Sequence, residues 1–367
     1  MAEAIDIMRA VVLTGHGGLE KLEYHDDWPR PAPGPGAALV RVGACGLNNT
    51  DINTRTAWYS KGVTGGTTGD AQEMAADDDS TWGGRPLSFP RIQGADVCGT
   101  VEAVGEGADP AWIGKRVLIE TWFRDWDDPN NLDKTRYLGS ELDGGFAEYT
   151  TVDQRNLHAV ECALTDTELA TFATAYITAE NMLTRADVGA GDVVLITGAS
   201  GGVGSALIQL ANRRGAHTVA MSSTDKADAV RAIGPEAVLE RSPDNLKAAL
   251  REAIGRETVS VVADVVVGPM FPQLIDSLER GGRYTCSGAI AGPLVDLDLR
   301  TFYLNDLTFT GATVVPSGLF ADLVGYIERS EIRPLLAATY PLARLHDAQR
   351  AFIEKHHVGN IVITMDS

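Results

Sequence analysis

The chain is poor in cysteine, poor in positive charge and free of long hydrophobic runs. Four cysteines, Cys45, Cys98, Cys162 and Cys286, lie far apart in 367 residues, and no two form a CxxC pair. That spacing excludes a four-cysteine zinc site and predicts reduced thiols in a cytoplasmic protein. Lys and Arg total 31 against 50 Asp and Glu, a net charge of −19. A surface of that sign repels a phosphate backbone, so nucleic acid is excluded as a partner. The charge also raises the hypothesis of a salt-adapted source, which equal stability at low and high salt would count against. No stretch approaches the ~20 apolar residues of a membrane span. The opening residues, MAEAIDIMRAVVLTG, lack the basic region and apolar core of a signal peptide. The expected partner is a small molecule.

What is present changes rhythm along the chain. Residues 8–42 hold short apolar runs, AVVLTG and ALVRVGA, split by the turn-rich PRPAPGPGA. Residues 92–119 continue this strand-and-turn pattern. Two segments read as insertions over a surface or a cleft mouth: residues 60–88, rich in Gly, Thr and Asp, and residues 122–136, with Trp122, Phe123 and Trp126. From about residue 165 the pattern alternates. TDTELATFATAYITAENML predicts a helix capped by Thr165 or Asp166. DVVLITGA, HTVAMSS, VSVVADVV and RYTCSGA read as strands, and GGVGSALIQLANRRGA, KADAVRAIG and FPQLIDSLERGG as helices between them. Strands alternating with helices imply a parallel, doubly wound α/β sheet. A helix, LFADLVGYIERSEI, and a last strand, NIVITM, close the chain.

The strongest local motif is ITGASGGVGSAL, residues 196–207. A strand ends, glycines turn the chain, and a helix begins. Ala199, Ser200, Gly201, Gly202, Val203 and Gly204 are the candidate cradle for a pyrophosphate. Gly201 and Gly202 admit close backbone approach, and Gly204 lets the helix pack on the strand. Ala199 replaces the usual first glycine of this pattern. The next strand ends in MSSTDK, where an acidic residue for the ribose 2′-hydroxyl is usual in NAD sites. Ser222 and Ser223 stand there instead, with Lys226 just beyond and Arg241 as a second candidate cation. Small hydroxyls and cations suit a 2′-phosphate, so the expected cofactor is NADP(H).

Together these residues resemble the medium-chain dehydrogenase/reductase superfamily over nearly the whole chain. GLNNTD (46–51) is similar to that family's GVCHTD or GLNPVD, and IQGADVCGTVEAVGEGA (92–108) to its GHEGAG…VGEGV segment. DGGFAEYTTV (143–152), ASGGVG (199–204) and GGRYTCSGA (281–289) continue the likeness in order. The resemblance implies a GroES-like, mostly β catalytic domain from residues 1–160 and 316–367. A Rossmann domain, residues 161–315, is inserted between them, and the active site lies in the cleft. It implies a nicotinamide contact from Thr178, backbone contacts from Ser287, Gly288 and Ala289 near the carboxamide, and a homodimer joined through the edge LTFTGATV (307–314). Asn360 stands where the family often has the lysine of GKVV, which puts its phosphate contact in question.

The resemblance also sets the zinc positions. Asn48, Ala95 and Thr174 stand where the family's catalytic metal ligands stand, and Cys45 lies three residues too early. An amide, a methyl and a hydroxyl cannot replace thiolate and imidazole, so no metal is expected. Cys45 then reads as a small buried residue. Without a Lewis acid, hydride transfer to a simple ketone loses its electrophilic help. A conjugated acceptor, a quinone or an α,β-unsaturated carbonyl compound, fits better. This resembles the zinc-independent quinone oxidoreductase and enoyl reductase branch, in which a tyrosine follows the motif aspartate by eight residues. Tyr59 stands eight residues after Asp51 and is a candidate proton donor, or else an aromatic wall of the pocket. Asn48 is a candidate contact for substrate or nicotinamide ribose, and Asp51 reads as a loop-holding residue. His356 and His357 read as surface residues. Trp58, Trp82, Trp122 and Trp126 read equally as pocket lining or as packed loop aromatics. Two other functions stay open: an alcohol dehydrogenase or carbonyl reductase recruiting metal through Asp96 or Asp51, and a non-catalytic NADPH-binding sensor.

Overall fold

The eleven residues AALVRVGACGL form strand Ala37–Leu47, the spine of the first domain. Its second half is buried, as a strand covered on both faces must be. The structure is a computed structural model and describes residues 6–67 and 86–365. Trp82 and most of the first insertion lie outside the described residues. A seven-stranded sheet places strands Leu157–Ala159, Arg116–Ile119, Asp96–Val104, Ala37–Leu47, Asn360–Thr364 and Leu336–Pro341 side by side. Strand Tyr149–Asp153 pairs on Ala37–Leu47 as well. Strand Asn360–Thr364 therefore lies inside the sheet that Ala37–Leu47 begins. Cys45 is fully buried there, and burial pushes its thiol well above the usual range. Its sulfur fills the space beside Gly94 and Gly145, so it is packing rather than a nucleophile.

The second domain carries a six-stranded sheet in the order Ala237–Glu240, His217–Ser222, Val193–Ile196, Val259–Asp264, Leu278–Cys286, Thr308–Gly311. Every pairing in it is parallel. The order reverses direction at Val193–Ile196, and a ligand crevice opens beyond the strand ends at such a switch point. The architecture is a GroES-like β domain joined to a Rossmann sheet. Helix Leu319–Glu328 buries Phe320, Leu323 and Ile327 in the core that holds the Rossmann helices, before the chain returns to the first sheet at Leu336.

Three sequence expectations change. The single helix over TDTELATFATAYITAENML is two helices, Asp166–Leu169 and Ala175–Arg185, with turns between. Helix Phe271–Asp276 is shorter than FPQLIDSLERGG, because Leu278 already pairs as strand with Val259. His357 is half-buried against Phe352, whereas His356 is exposed. Burial, with Lys355 and Lys226 nearby, pushes the His357 ring down to about 4.

Candidate active site

At the switch point the phosphate loop has the shape its glycines require. Gly198 adopts φ 58°, and helix Gly202–Arg213 starts directly after the turn. A Cβ on Gly204 would strike the Gly198 carbonyl, and one on Gly202 would strike the Asn360 side chain. Ala199 is buried and its amide donates to Met221 O at 3.1 Å, while Ser200, Gly201, Gly202 and Val203 remain partly open. The C-terminal segment lies across this loop: the Gly359 amide donates to Ser200 O at 2.9 Å. Two buried polar groups beside the loop have no partner, Ser222 Oγ and Asn360 Nδ2. Open glycine backbone, a helix N-terminus and orphaned polar groups fit a dinucleotide.

The end of strand His217–Ser222 mixes signs. Ser222 is buried and pairs along the sheet with Glu240. Thr224 donates to Glu240 at 2.6 Å, and Ser223 hydrogen-bonds Asp225. Lys226 and Arg241 lie close enough to repel, which helps burial lower the Lys226 ammonium. Lys226 donates to the Lys355 carbonyl. Lys355 escaped the sequence reading, which watched position 360 for a cation. It ends helix Leu345–Glu354 at φ 55° and donates to Asn49 Oδ1 at 2.8 Å. Burial and the neighbouring Lys226 push its ammonium down to about 7. The two lysines are thus held close enough to repel.

At the far end of strand Val259–Asp264, Asp264 organises the neighbouring strand ends. It accepts from Thr197 Oγ1 at 2.5 Å, from the Val266 and Val267 amides at 2.8 and 3.0 Å, and from Tyr284 at 2.9 Å. Val267 is thereby held at φ 61°, a costly conformation for a β-branched residue. The Ser287 hydroxyl donates to Ala312 O at 2.5 Å, and Ser287, Gly288 and Ala289 are all partly exposed at this strand end. From across the cleft the Thr67 amide donates to Ile290 O at 3.0 Å, and Trp58 Nε1 holds Gly65 O at 2.9 Å. The start of the first insertion thus straps the two domains together.

The three positions of the zinc ligands converge, but on a carboxylate. Asp96 is buried; its Oδ2 accepts from Asn48 Nδ2 at 2.9 Å and its Oδ1 from the Thr174 amide at 2.7 Å. Ala95 adds a buried methyl. The Thr174 hydroxyl meets Tyr137 Oη at 2.9 Å, and Trp122 packs behind Tyr137 with ring centroids 4.9 Å apart. This donor set does not fit Zn²⁺: it has one carboxylate, already spent on hydrogen bonds from Asn48 and from the amide and hydroxyl of Thr174, and no thiolate or imidazole. No group of three His, Cys, Asp or Glu able to hold a metal occurs among the described residues. Burial pushes the Asp96 carboxyl well above the usual carboxylate range, against the hydrogen bonds from Thr174 and Asn48. Asp51 is raised by burial too, with Asp96 adding repulsion. Its carboxylate takes the Asn48 and Gly94 amides at 2.8 and 3.1 Å, which makes it a loop-holding group.

Tyr59 lies at the same end, half-buried, with Asn53 Nδ2 at 3.5 Å from its hydroxyl. Burial pushes it up to about 12, against hydrogen bonds from Thr50 and Asn53. Thr178 and Thr174 are half-buried residues one turn apart at the start of helix Ala175–Arg185, whose neighbouring residues are buried. Arg55 is fully buried; it donates to Gln349 Oε1 and Gly17 O at 3.0 and 2.7 Å. It is a structural clamp. Trp126 lies apart from the cleft, on a surface cavity lined also by Arg124, Lys134, Arg136 and Arg155.

Comparison with known proteins agrees with this architecture. Residues 34–162 match the alcohol dehydrogenase GroES-like domain family, and residues 202–329 the zinc-binding dehydrogenase family. The chain is 26% identical to a quinone oxidoreductase of Pongo abelii over 96% of each chain. It is 26% identical to an acryloyl-coenzyme A reductase of Metallosphaera sedula, covering 97% of this chain and 100% of that one. The crystal structure of a putative alcohol dehydrogenase from Sinorhizobium meliloti superposes with a TM-score of 0.90 at 46% identity, covering 100% of this chain and 99% of that one. With both halves matched and a full-length likeness to oxidoreductases of one architecture, the chain belongs to the medium-chain dehydrogenase/reductase superfamily, whose members use a nicotinamide cofactor.

Proposed function

We propose that this protein is a zinc-independent, NADPH-dependent reductase of quinones or α,β-unsaturated carbonyl compounds. One observation carries the reading: at the metal position Asp96 is tied to Asn48 and Thr174, in a donor set unsuited to zinc. Without a Lewis acid the acceptor must bring its own electron sink, as a conjugated carbonyl does. The cofactor, when bound, supplies hydride. This chain's residues then hold and orient: Thr178 against the nicotinamide, Asn48 and Tyr59 on the acceptor side, and the glycine loop with Asn360 at the phosphates. Lys226, Arg241 and the hydroxyls of Ser222 and Ser223 support the 2′-phosphate. The similarity to quinone oxidoreductases and to acryloyl-coenzyme A reductase supports conjugated acceptors.

Two observations favour second readings. Asp225 and Glu240 at the ribose end suit a free 2′-hydroxyl, hence NADH. The likeness to a putative alcohol dehydrogenase suits a simple carbonyl. The deciding experiment follows NADPH and NADH oxidation with a quinone, an enone, an enoyl thioester and a ketone, with and without chelator. Turnover of a conjugated acceptor by NADPH, indifferent to chelator, is the expected result. Turnover of the ketone alone, abolished by chelator, would overturn the zinc-free reading. Cofactor binding with no turnover would make the protein a sensor. No described helix is long and apolar enough to cross a membrane, and dispersed, unpaired cysteines support a cytoplasmic location. We further propose a homodimer through strand Thr308–Gly311, one of the two edge strands of the Rossmann sheet, the other being Ala237–Glu240.

A further inference from the structure

A hydride passes only between atoms held in contact, so whatever fixes the two domains against each other bears on the rate. A dinucleotide lies across the carboxyl ends of a doubly wound sheet, one half on each side of the switch point. Ser222 ends a strand on one side of that point, and strands Val259–Asp264 and Leu278–Cys286 end on the other. Ile290 and Ala291 follow the last of these. Their amides donate to Val265 O and Val266 O at 3.3 and 2.9 Å, and a Cβ on Gly268 would strike Ala291. The segment is thus packed down on the sheet end.

A stretch of the first domain reaches it. After helix Asn49–Arg55 the Trp58 amide donates back to Asn53 O at 2.8 Å, and the Trp58 and Tyr59 rings meet at 5.7 Å between centroids. The Trp58 indole N–H holds Gly65 O at 2.9 Å, and two residues on the Thr67 amide donates to Ile290 O at 3.0 Å. Gly66 between them is buried, and a Cβ there would lie 2.6 Å from the same Ile290 oxygen. Val63 and Thr67 are buried as well. The indole N–H is therefore spent on shaping this strap. Each end of the strap adjoins a residue of the proposed reaction: Trp58 precedes Tyr59, and Ile290 follows Ala289.

We propose that Trp58 is a positioning residue for hydride transfer. Its indole shapes residues 65–67, and their bond to Ile290 fixes the acceptor side of the cleft against the sheet end that takes the nicotinamide half. The inference rests on the reading above, that Tyr59 stands beside a reducible acceptor and the cofactor supplies hydride. Trp58 acts through the strap and not on either reactant. A misplacement of about 1 Å between the reactants costs about a hundredfold in rate.

The test uses two variants that loosen the strap and one that closes it covalently. A valine at position 66 cannot share space with the Ile290 carbonyl, so Gly66→Val is expected to lower kcat about a hundredfold. Trp58→Phe keeps a ring but loses the N–H, and a loss of about tenfold is expected. In both, the NADPH dissociation constant stays within about threefold, because the phosphate loop is untouched, and the isotope effect with 4-deuterated NADPH rises as hydride transfer becomes limiting. The closing variant adds Thr67→Cys and Ile290→Cys to Trp58→Phe. The two residues share one main-chain bond, which puts them within disulfide reach, and the Thr67 hydroxyl has no hydrogen-bond partner to lose. Oxidation should restore kcat to within about threefold of the unaltered protein, and reduction should remove it again. Unchanged kcat in folded Gly66→Val and Trp58→Phe would overturn the inference and leave the reductase reading intact. So would a loss that the disulfide does not repair, or a failure of the two thiols to pair. Absence of turnover by the unaltered protein with every acceptor would overturn both.

Discussion

Lys355 shows how one side chain ties cofactor binding to pH. Its ammonium is pushed down to about 7 from an ordinary 10.5, first by burial and then by Lys226. The unfolded chain therefore binds a proton that the folded one has released between pH 7 and 10.5. By linkage, stability rises with pH across that window and is flat below it. A phosphate beside Lys355 would restore the proton, so cofactor affinity should fall as pH rises through the same window. Lys355→Met is expected to raise the NADPH dissociation constant about tenfold at pH 7 and to flatten its pH dependence above 7. Nicotinamide fluorescence titrations across pH check both; a pH slope unchanged in the variant would show that the lysine meets no anion. At this scale the sequence hid the cation because a lysine in EKHHVGN reads as an ordinary helix-end charge. Its meaning comes from the turn at φ 55° that aims it at Asn49. Tyr137 was hidden for the same reason: nothing in KTRYLG points to Thr174, 37 residues away.

Among the elements, the strand–turn–helix around ASGGVG was legible because its glycines answer local geometry. A Cβ at Gly204 meets the Gly198 backbone, which no side-chain rotation relieves. Gly204→Ala is thus expected to push helix Gly202–Arg213 off the sheet and to cost about 2–3 kcal/mol. Chemical denaturation measures the stability, and a parallel cofactor titration should show binding lost with it. A variant of native stability and affinity would mean the helix has slack the glycine does not reveal. The long helix expected over TDTELATFATAYITAENML was not legible as two, since its apolar period runs through the break. What interrupts it is tertiary: Asp96, distant in sequence, takes the Thr174 amide and fixes where the second helix begins. That break also puts Thr174 at the N-cap, where its hydroxyl meets Tyr137 and Asp96. The parallel pairing of the sheet, by contrast, followed from alternating strands and helices, a pattern set by burial alone, while the strand order did not.

For the molecule as a whole, the apolar surface left over points to a second copy. Leu294, Leu299, Tyr303 and Leu304 are exposed just before edge strand Thr308–Gly311. With a net charge of −19, two copies repel at long range, so contact needs such an apolar patch at its centre. Light scattering should report twice the chain mass, and Leu299→Asp with Tyr303→Asp should give a monomer that still binds cofactor. A wild-type monomer at micromolar concentration would remove the dimer. One feature of the architecture bears on how the molecule is made. Strand Asn360–Thr364 lies between Ala37–Leu47 and Leu336–Pro341, and the Gly359 amide just before it closes on Ser200. These residues are made after every strand of the Rossmann sheet. Until they emerge, the front half has an open gap in its sheet and the glycine loop lacks its cover, while the Rossmann strands are already complete. The nascent chain therefore passes through a stage with a finished nucleotide fold beside an unfinished partner sheet, and the synthesis of one five-residue strand closes both at once.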